Sequence, residues 1–234
     1  MIECPVCKAQ NHHLAVTCSS CNSYIQRKVD NIDLFDTLWS LIESPGKAFH
    51  NIAVATHKNY ALLLSAFAGI WQIFWIFRLI EAAEVGGQFL NILVAGFAIG
   101  PFIGIAAVLL FSGFTRLVLR LLGEKVSFRN IIAVAAYSQL PIVLMTVFLV
   151  PLELMTWGVY FFTRTSSAFQ LYPTSYLVVM IMNAAGGAWS VSLFIIGIRK
   201  LINSGTMRAF ALGACALVLF GGAASIGIQI LKKL

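Results

Sequence analysis

The chain has 234 residues, of which 59% are hydrophobic and only 11% charged, with a net charge of +7. Soluble domains carry about a quarter charged residues, so the composition excludes an ordinary soluble protein and points to an integral membrane protein. The basic excess would suit nucleic acid, but membrane topology and anionic headgroups account for it, and no nucleic-acid partner is expected.

Residues 1–28 read as a small metal-bound ribbon. Cys4 and Cys7 form one Cys-x-x-Cys, and Cys18 and Cys21 form a second. Two residues between thiolates let both sulfurs turn onto one ion, and two such knuckles complete a tetrahedral sulfur site suited to structural Zn2+, with iron as the alternative. Pro5 and Asn22 favour the turns. So short a segment cannot build a core of its own, so the ion would supply the folding energy. Two disulfides, or a redox pair, are the competing readings; a redox motif would need an α/β domain around it. His12 and His13 are expected to be exposed loop residues, since four sulfurs already fill such a site. Zinc thiolates require a reducing compartment, which puts the ribbon in the cytosol. No apolar run follows a basic stretch at the start of the chain, so no cleaved signal peptide is expected.

Residues 29–59 are read as amphipathic, interfacial helices. Phe35, Leu38, Trp39 and Ile42 follow the i, i+3, i+4, i+7 pattern. Trp39 suits an interface anchor. Ser44-Pro45 restarts the chain, with Ser as cap and Pro at the first helical position. Phe49 and Ile52 continue an apolar face. The segment is expected to pack on the membrane domain, with a docking surface for a cytosolic partner as the alternative.

Residues 60–234 are read as a membrane domain of five spans, at about 60–77, 89–111, 131–152, 175–198 and 207–231, each near the 20 or so residues a crossing needs. The predicted fold class is thus an all-α integral membrane protein, five transmembrane helices preceded by a cytosolic zinc ribbon and an amphipathic helix. With the N-terminus inside, the predicted cytosolic segments hold twelve Lys and Arg and the outer segments four. This asymmetry puts the N-terminus in the cytosol and the C-terminus outside. In the second span Gly96, Gly100 and Gly104 recur every four residues, a stripe that lets helices approach closely. Pro101 is expected to bend that helix. The "SGFTRLVLRLLGEKVSFR" stretch after Phe111 reads as a helix leaving the membrane along the interface.

Polar residues within spans are costly. Tyr137, Ser138, Gln139 and Asn183 form the candidate polar membrane site. Gly186-Gly187 is a candidate helix break. Arg78, Glu81, Glu84 and Glu153 fall near outer span ends, where snorkelling to water is expected. Cys215 is expected to be a buried, inert thiol. His50 and His57, seven apart, are read as solvated or capping residues. No metalloprotease, nucleophile-elbow or phosphate-loop motif occurs, and no enzymatic activity or catalytic residue is expected.

The "SPGKAF" turn-helix at Ser44–Phe49, a cytosolic N-terminus before five spans, and "AAYSQLP" at Ala135–Pro141 in the third span resemble the Yip1 family of membrane proteins, over about residues 34–231. The N-terminal "CPVC…CSSC" resembles small zinc ribbons placed before bacterial membrane domains. The resemblance implies a multi-pass scaffold. Eukaryotic relatives bind Rab GTPases in vesicle traffic, but the acidic Asp-Leu-x-Gly-Pro element and the long N-terminal region of those relatives are missing here, which puts Rab binding in doubt. The expected role is a non-catalytic scaffold or adaptor in the bacterial cytoplasmic membrane, with the ribbon as a protein-docking module. Expected partners are membrane lipids, a cytosolic or membrane protein, and other copies in a homo- or hetero-oligomer. A small-molecule or ion permease and an accessory subunit of a membrane enzyme are the alternatives.

Overall fold

The computed structural model describes residues 1–124, 126–164 and 167–202. The predicted fifth span and Cys215 lie outside the described residues. A two-stranded antiparallel sheet opens the chain, β1 (Ile2–Glu3) pairing with β2 (Gln10–Asn11). Helices follow: α1 (Leu34–Glu43), α2 (Pro45–Val54), α3 (Ala61–Leu79), α4 (Phe89–Leu121), α5 (Phe128–Tyr137), α6 (Leu140–Leu144), α7 (Val150–Trp157), α8 (Ala168–Leu171) and α9 (Pro173–Ile202). A π-helical turn, Met145–Leu149, joins α6 to α7, and a 3-10 turn, Gly158–Phe162, closes α7.

Among the described residues, four stretches are long and apolar enough to cross a membrane: Ala61–Leu79, Phe89–Leu121, Leu140–Phe162 and Pro173–Ile202. Three correspond to predicted spans. The third starts at Leu140 rather than Ile131. The backbone turns at Ser138-Gln139, and Pro141, with no N–H to give, starts the new helix. The alanine-rich α5 before it is buried almost all round, from Ile131 to Tyr137. Its small side chains form the hub on which α2, α3, α4 and α9 converge.

Two apolar cores result. One gathers α2, α5, the start of α3 and the end of α9, with Phe49, Ile52, Tyr137 and Leu201 buried. It lies at the end of the bundle that carries the N-terminal ribbon, the ribbon pole. The other, at the far pole, gathers Phe74, Trp157, Phe161 and Phe162.

The α3–α4 crossing follows from glycine. A Cβ on Gly104 would stand 2.7 Å from the Gly69 Cα, and one on Gly100 would stand 2.7 Å from the Ile70 Cα. Gly96 lies under the Phe74 ring. The stripe meets a glycine, Gly69, that the sequence pattern does not single out. Helix α4 runs unbroken through Pro101 and on to Leu121, so the first half of the basic stretch after Phe111 belongs to the same helix as the second span. Helix α9 runs unbroken through Gly186-Gly187, and Gly186 is a notch for the Met145 side chain.

Helix α1 is capped by the Asp33 carboxylate, which accepts from the Asp36 N–H at 2.9 Å. Its apolar positions split into two edges. Leu41 is buried, with Leu34 and Leu38 packed against the same core. Phe35 and Trp39 stay 82% and 61% exposed, with Ile42 beside them. The end of α2 is closed by Lys58, whose ammonium donates to the carbonyls of Ile52, Ala53 and Ala55 at 2.7, 3.2 and 3.0 Å.

Candidate metal centre

The two Cys-x-x-Cys loops repeat one local structure. In the first, the Cys4 N–H donates to Ala9 O and the Lys8 N–H to Cys4 O. In the second, the Cys18 N–H donates to Ser23 O and the Asn22 N–H to Cys18 O. Lys8 and Asn22 occupy the same left-handed position, each at φ 56°. Asn tolerates that conformation well and Lys less so. Each loop caps an antiparallel pair, β1–β2 for the first and the Thr17–Tyr24 bridge for the second.

These hairpin tips face each other and bring Cys4, Cys7, Cys18 and Cys21 within 4.8 Å at their sulfurs. Across the loops, Cys4 and Cys21 approach to 3.7 Å and Cys7 and Cys18 to 3.5 Å. A tetrahedron with metal–sulfur bonds of about 2.3 Å has edges of about 3.8 Å, so four sulfurs at these spacings fit one tetrahedral ion. All four are free cysteines. Cys4 and Cys18 are buried, and Cys7 and Cys21 line an open edge.

The electrostatics favour anionic sulfur. Backbone N–H groups of Cys21 and Ser20, followed by the Asn11 amide, hold the Cys18 thiol down at about 6. The Cys7 N–H and Ser23 hydroxyl lower Cys4 similarly. Cys7 is eased by the Ala9 N–H, but the neighbouring sulfurs of Cys21 and Cys18 push it up to about 12. Four sulfurs this close cannot all ionise without a cation among them, which is the condition a bound metal satisfies.

Asn11 is the residue the cysteine spacing does not reveal. It is buried, its amide donates to Ala9 O at 2.9 Å and to Cys18 Sγ at 3.5 Å, and its carbonyl accepts from the Ser19 N–H and hydroxyl at 3.0 Å. It joins the two hairpins behind the sulfurs and orients a ligand, as outer-shell partners of metal sites do.

The ribbon is fastened to the bundle. His13 Nε2–H donates to Lys200 O at 3.2 Å. Gln26 donates to His13 O and Ala15 O at 2.8 and 3.1 Å and accepts from His50 Nε2–H at 2.9 Å. His13 is therefore a docking residue and not a free loop residue, whereas His12 stays exposed. The following linker pairs with the end of α2 through Thr56 N–H to Val29 O and His57 N–H to Asp30 O.

The four residues of the expected polar membrane site separate. The Tyr137 hydroxyl donates to Asn59 O at the ribbon pole. Ser138 donates to Ala135 O at 2.8 Å, and its own carbonyl accepts from Ser190 at 2.7 Å. Ser138 and Gln139 line a cavity of about 270 Å³ with Gln72, Ser190, Phe111 and Phe194, and the Gln139 Oε1 has no hydrogen-bond partner among the described residues. Asn183 belongs to another group. It accepts from Trp71 Nε1–H at 3.0 Å and donates to Glu153 at 2.7 Å.

Glu153 is only 2% exposed, which corrects the expectation of an interfacial carboxylate. The reason lies in the helix: the π turn at Met145–Leu149 resets the phase and turns Glu153 toward α9. Arg78 is likewise held by protein rather than reaching freely for water. It donates to the Tyr176 hydroxyl and to Met180 Sδ, and lies 4.8 Å from the ring centres of Trp75 and Phe161.

No curated protein and no solved structure matches the chain significantly. A family model, described as the Yip1 domain, matches residues 39–227, which covers α2 to α9 and begins within α1. The chain is a multi-pass membrane protein that belongs to the Yip1 domain family.

Proposed function

We propose that the protein is a non-catalytic membrane scaffold whose zinc-loaded ribbon is a docking module on the cytosolic face. The observation that carries this reading is the ribbon's attachment. It is pinned to α2 and α9 through His13, Gln26 and His50, yet it turns Val6 and Tyr24 outward, 70% and 64% exposed. The ribbon is thus held against the bundle while these two apolar side chains stay open to a protein partner.

Two features support the cytosolic orientation and a reducing compartment such as that facing a bacterial cytoplasmic membrane. The four thiols need reducing conditions. Among the described residues, Lys8, Arg27, Lys28, Lys47, Lys58, Arg116, Arg120, Arg129, Arg199 and Lys200 fall at the ribbon pole, against Arg78 and Arg164 at the other. The exposed Phe35, Trp39 and Ile42 edge of α1 suits the adjacent membrane interface.

The test is affinity purification of the full chain from its membrane in mild detergent, compared with Val6→Asp/Tyr24→Asp and with residues 1–43 removed. The reading predicts proteins retained by the wild type and lost from both variants. Identical retention by all three overturns it.

A second reading, an ion-coupled permease, is favoured by one observation: Glu153 is a buried carboxylate between helices of the bundle, where such groups mark ion paths. Proton leak across proteoliposomes that depends on Glu153, and is lost in Glu153→Gln, would support it. Leak equal to that of empty vesicles would remove it.

A further inference from the structure

We propose that the cleft between the end of α4 and the start of α5 binds the phosphate headgroup of an anionic phospholipid. The cleft, of about 590 Å³, is lined by Arg116, Arg120, Gly123, Glu124 and Val126. Arg116 and Arg120 are one helical turn apart and share a face. Neither forms an ion pair among the described residues, and Glu124, which lines the same cleft, bonds neither guanidinium. The Nε–H of Arg116 is shut off from solvent and finds no acceptor among the described residues, so the guanidinium is left to its other N–H groups.

The surroundings add to the positive potential. The Arg116 guanidinium sits 5.5 Å from the ring centre of Phe128, the first residue of α5. It therefore lies beside a helix N-terminus that no side chain caps, whose dipole is also positive. The C-terminus of α4 would oppose an anion, but its carbonyls are engaged: the Glu124 N–H donates to Leu119 O and the Gly123 N–H to Arg120 O, with Gly123 at φ 82°.

Depth and flanking residues select a lipid over a free anion. Helix α4 has 33 residues. At about 1.5 Å each it is about 50 Å long, against a hydrocarbon core of about 30 Å. Its last third, with both arginines, thus stands at headgroup level. Leu117, Leu121 and Leu122 are exposed around them, so acyl chains can lie on the leucines while the phosphate meets the guanidinium groups.

The experiment uses the full chain in mild detergent, titrated with phosphatidylglycerol, phosphatidylcholine or inorganic phosphate, reading thermal midpoint and lipid retention by native mass spectrometry. Phosphatidylglycerol should stabilise and stay bound, and the other two should not. Arg116→Gln/Arg120→Gln should weaken it by about fivefold for each arginine. A charge-matched control, Lys47→Gln/Arg199→Gln at the same pole, should change it little. Arg120→Gln alone, at an exposed side chain with no hydrogen bond among the described residues, keeps the test sound if the double variant misfolds. Equal loss in the control would reduce the site to diffuse attraction and overturn the proposal, as would equal stabilisation by inorganic phosphate or by phosphatidylcholine.

Discussion

Asn183 joins Trp71 to Glu153: its carbonyl accepts from the indole N–H at 3.0 Å and its amide donates to the carboxylate at 2.7 Å. One side chain on α9 thereby ties α3 to the third span through polar groups buried among apolar ones. Asn183→Leu should leave both partners unmet. Interhelical hydrogen bonds in membranes are worth about 0.6 kcal/mol each, up to about 1.7, so the loss should be about 1–3 kcal/mol. Glu153→Gln keeps an acceptor for Asn183 and should lose less than half of that. Unfolding in mixed micelles would check both, and equal losses would show that the carboxylate itself matters beyond its hydrogen bond.

The close crossing of α3 and α4 gives a contrast between glycines. Gly104→Ala places a methyl group 2.7 Å from the Gly69 backbone, with no flexible side chain there to move aside. Overpacking of this kind costs about 1–3 kcal/mol, and a lower thermal midpoint with reduced folded yield is expected. Among the described residues, Gly113 and Gly187 have nothing within 4 Å of an added Cβ. Alanine at either should be neutral or stabilise by up to about 1 kcal/mol, the helix-propensity difference.

The apolar runs at Ala61–Leu79, Phe89–Leu121 and Pro173–Ile202 were legible because hydropathy over twenty residues depends on nothing but the residues themselves. The cysteine knuckles were legible for a similar reason: a loop of two residues fixes its own geometry. What sequence pattern hid was relational. The alanines of α5 look like membrane residues and instead form a protein-buried hub, since apolar character does not say whether lipid or protein is the neighbour. Glu153 sits near the predicted end of a span, and only the π turn before it brings it inward. Asn11 is an ordinary strand residue until the second hairpin folds back over it. His13 meets α9 across 187 positions of chain, a contact no local periodicity encodes.

Ribbon docking should weaken in mild acid. Burial holds the His13 imidazole below its ordinary range, and burial together with nearby Lys200 does the same to His50. A histidine lowered on docking takes up fewer protons docked than free. Docking is therefore complete above about 6.5, the free value, and weakens as pH falls through that range and below. Amide exchange in residues 1–28 should rise over that window. His13→Gln/His50→Gln should flatten the dependence, since neither replacement titrates. An unchanged slope in that variant would assign it to the thiolates instead.

Metal removal should unfold the ribbon and spare the bundle. The full chain should carry one metal ion, colourless if zinc and coloured if an iron tetrathiolate, held by Cys4, Cys7, Cys18 and Cys21. Chelation, or Cys18→Ser, removes the only strong organiser of a segment whose strands are two residues long. Structural zinc contributes about 10–16 kcal/mol to such modules, far beyond what those strands supply. Exchange protection in residues 1–28 should disappear, and with it the Lys200 contact. The bundle loses the bonds of His13 to Lys200 O and of His50 to Gln26, at about 1 kcal/mol each, together with the packing of Leu14 on its core. Its thermal midpoint should therefore fall slightly, while the exposed Val6 and Tyr24 lose their fixed arrangement and any bound partner departs. A partner retained after complete metal loss would place recognition on the α1–α2 surface and not on the ribbon.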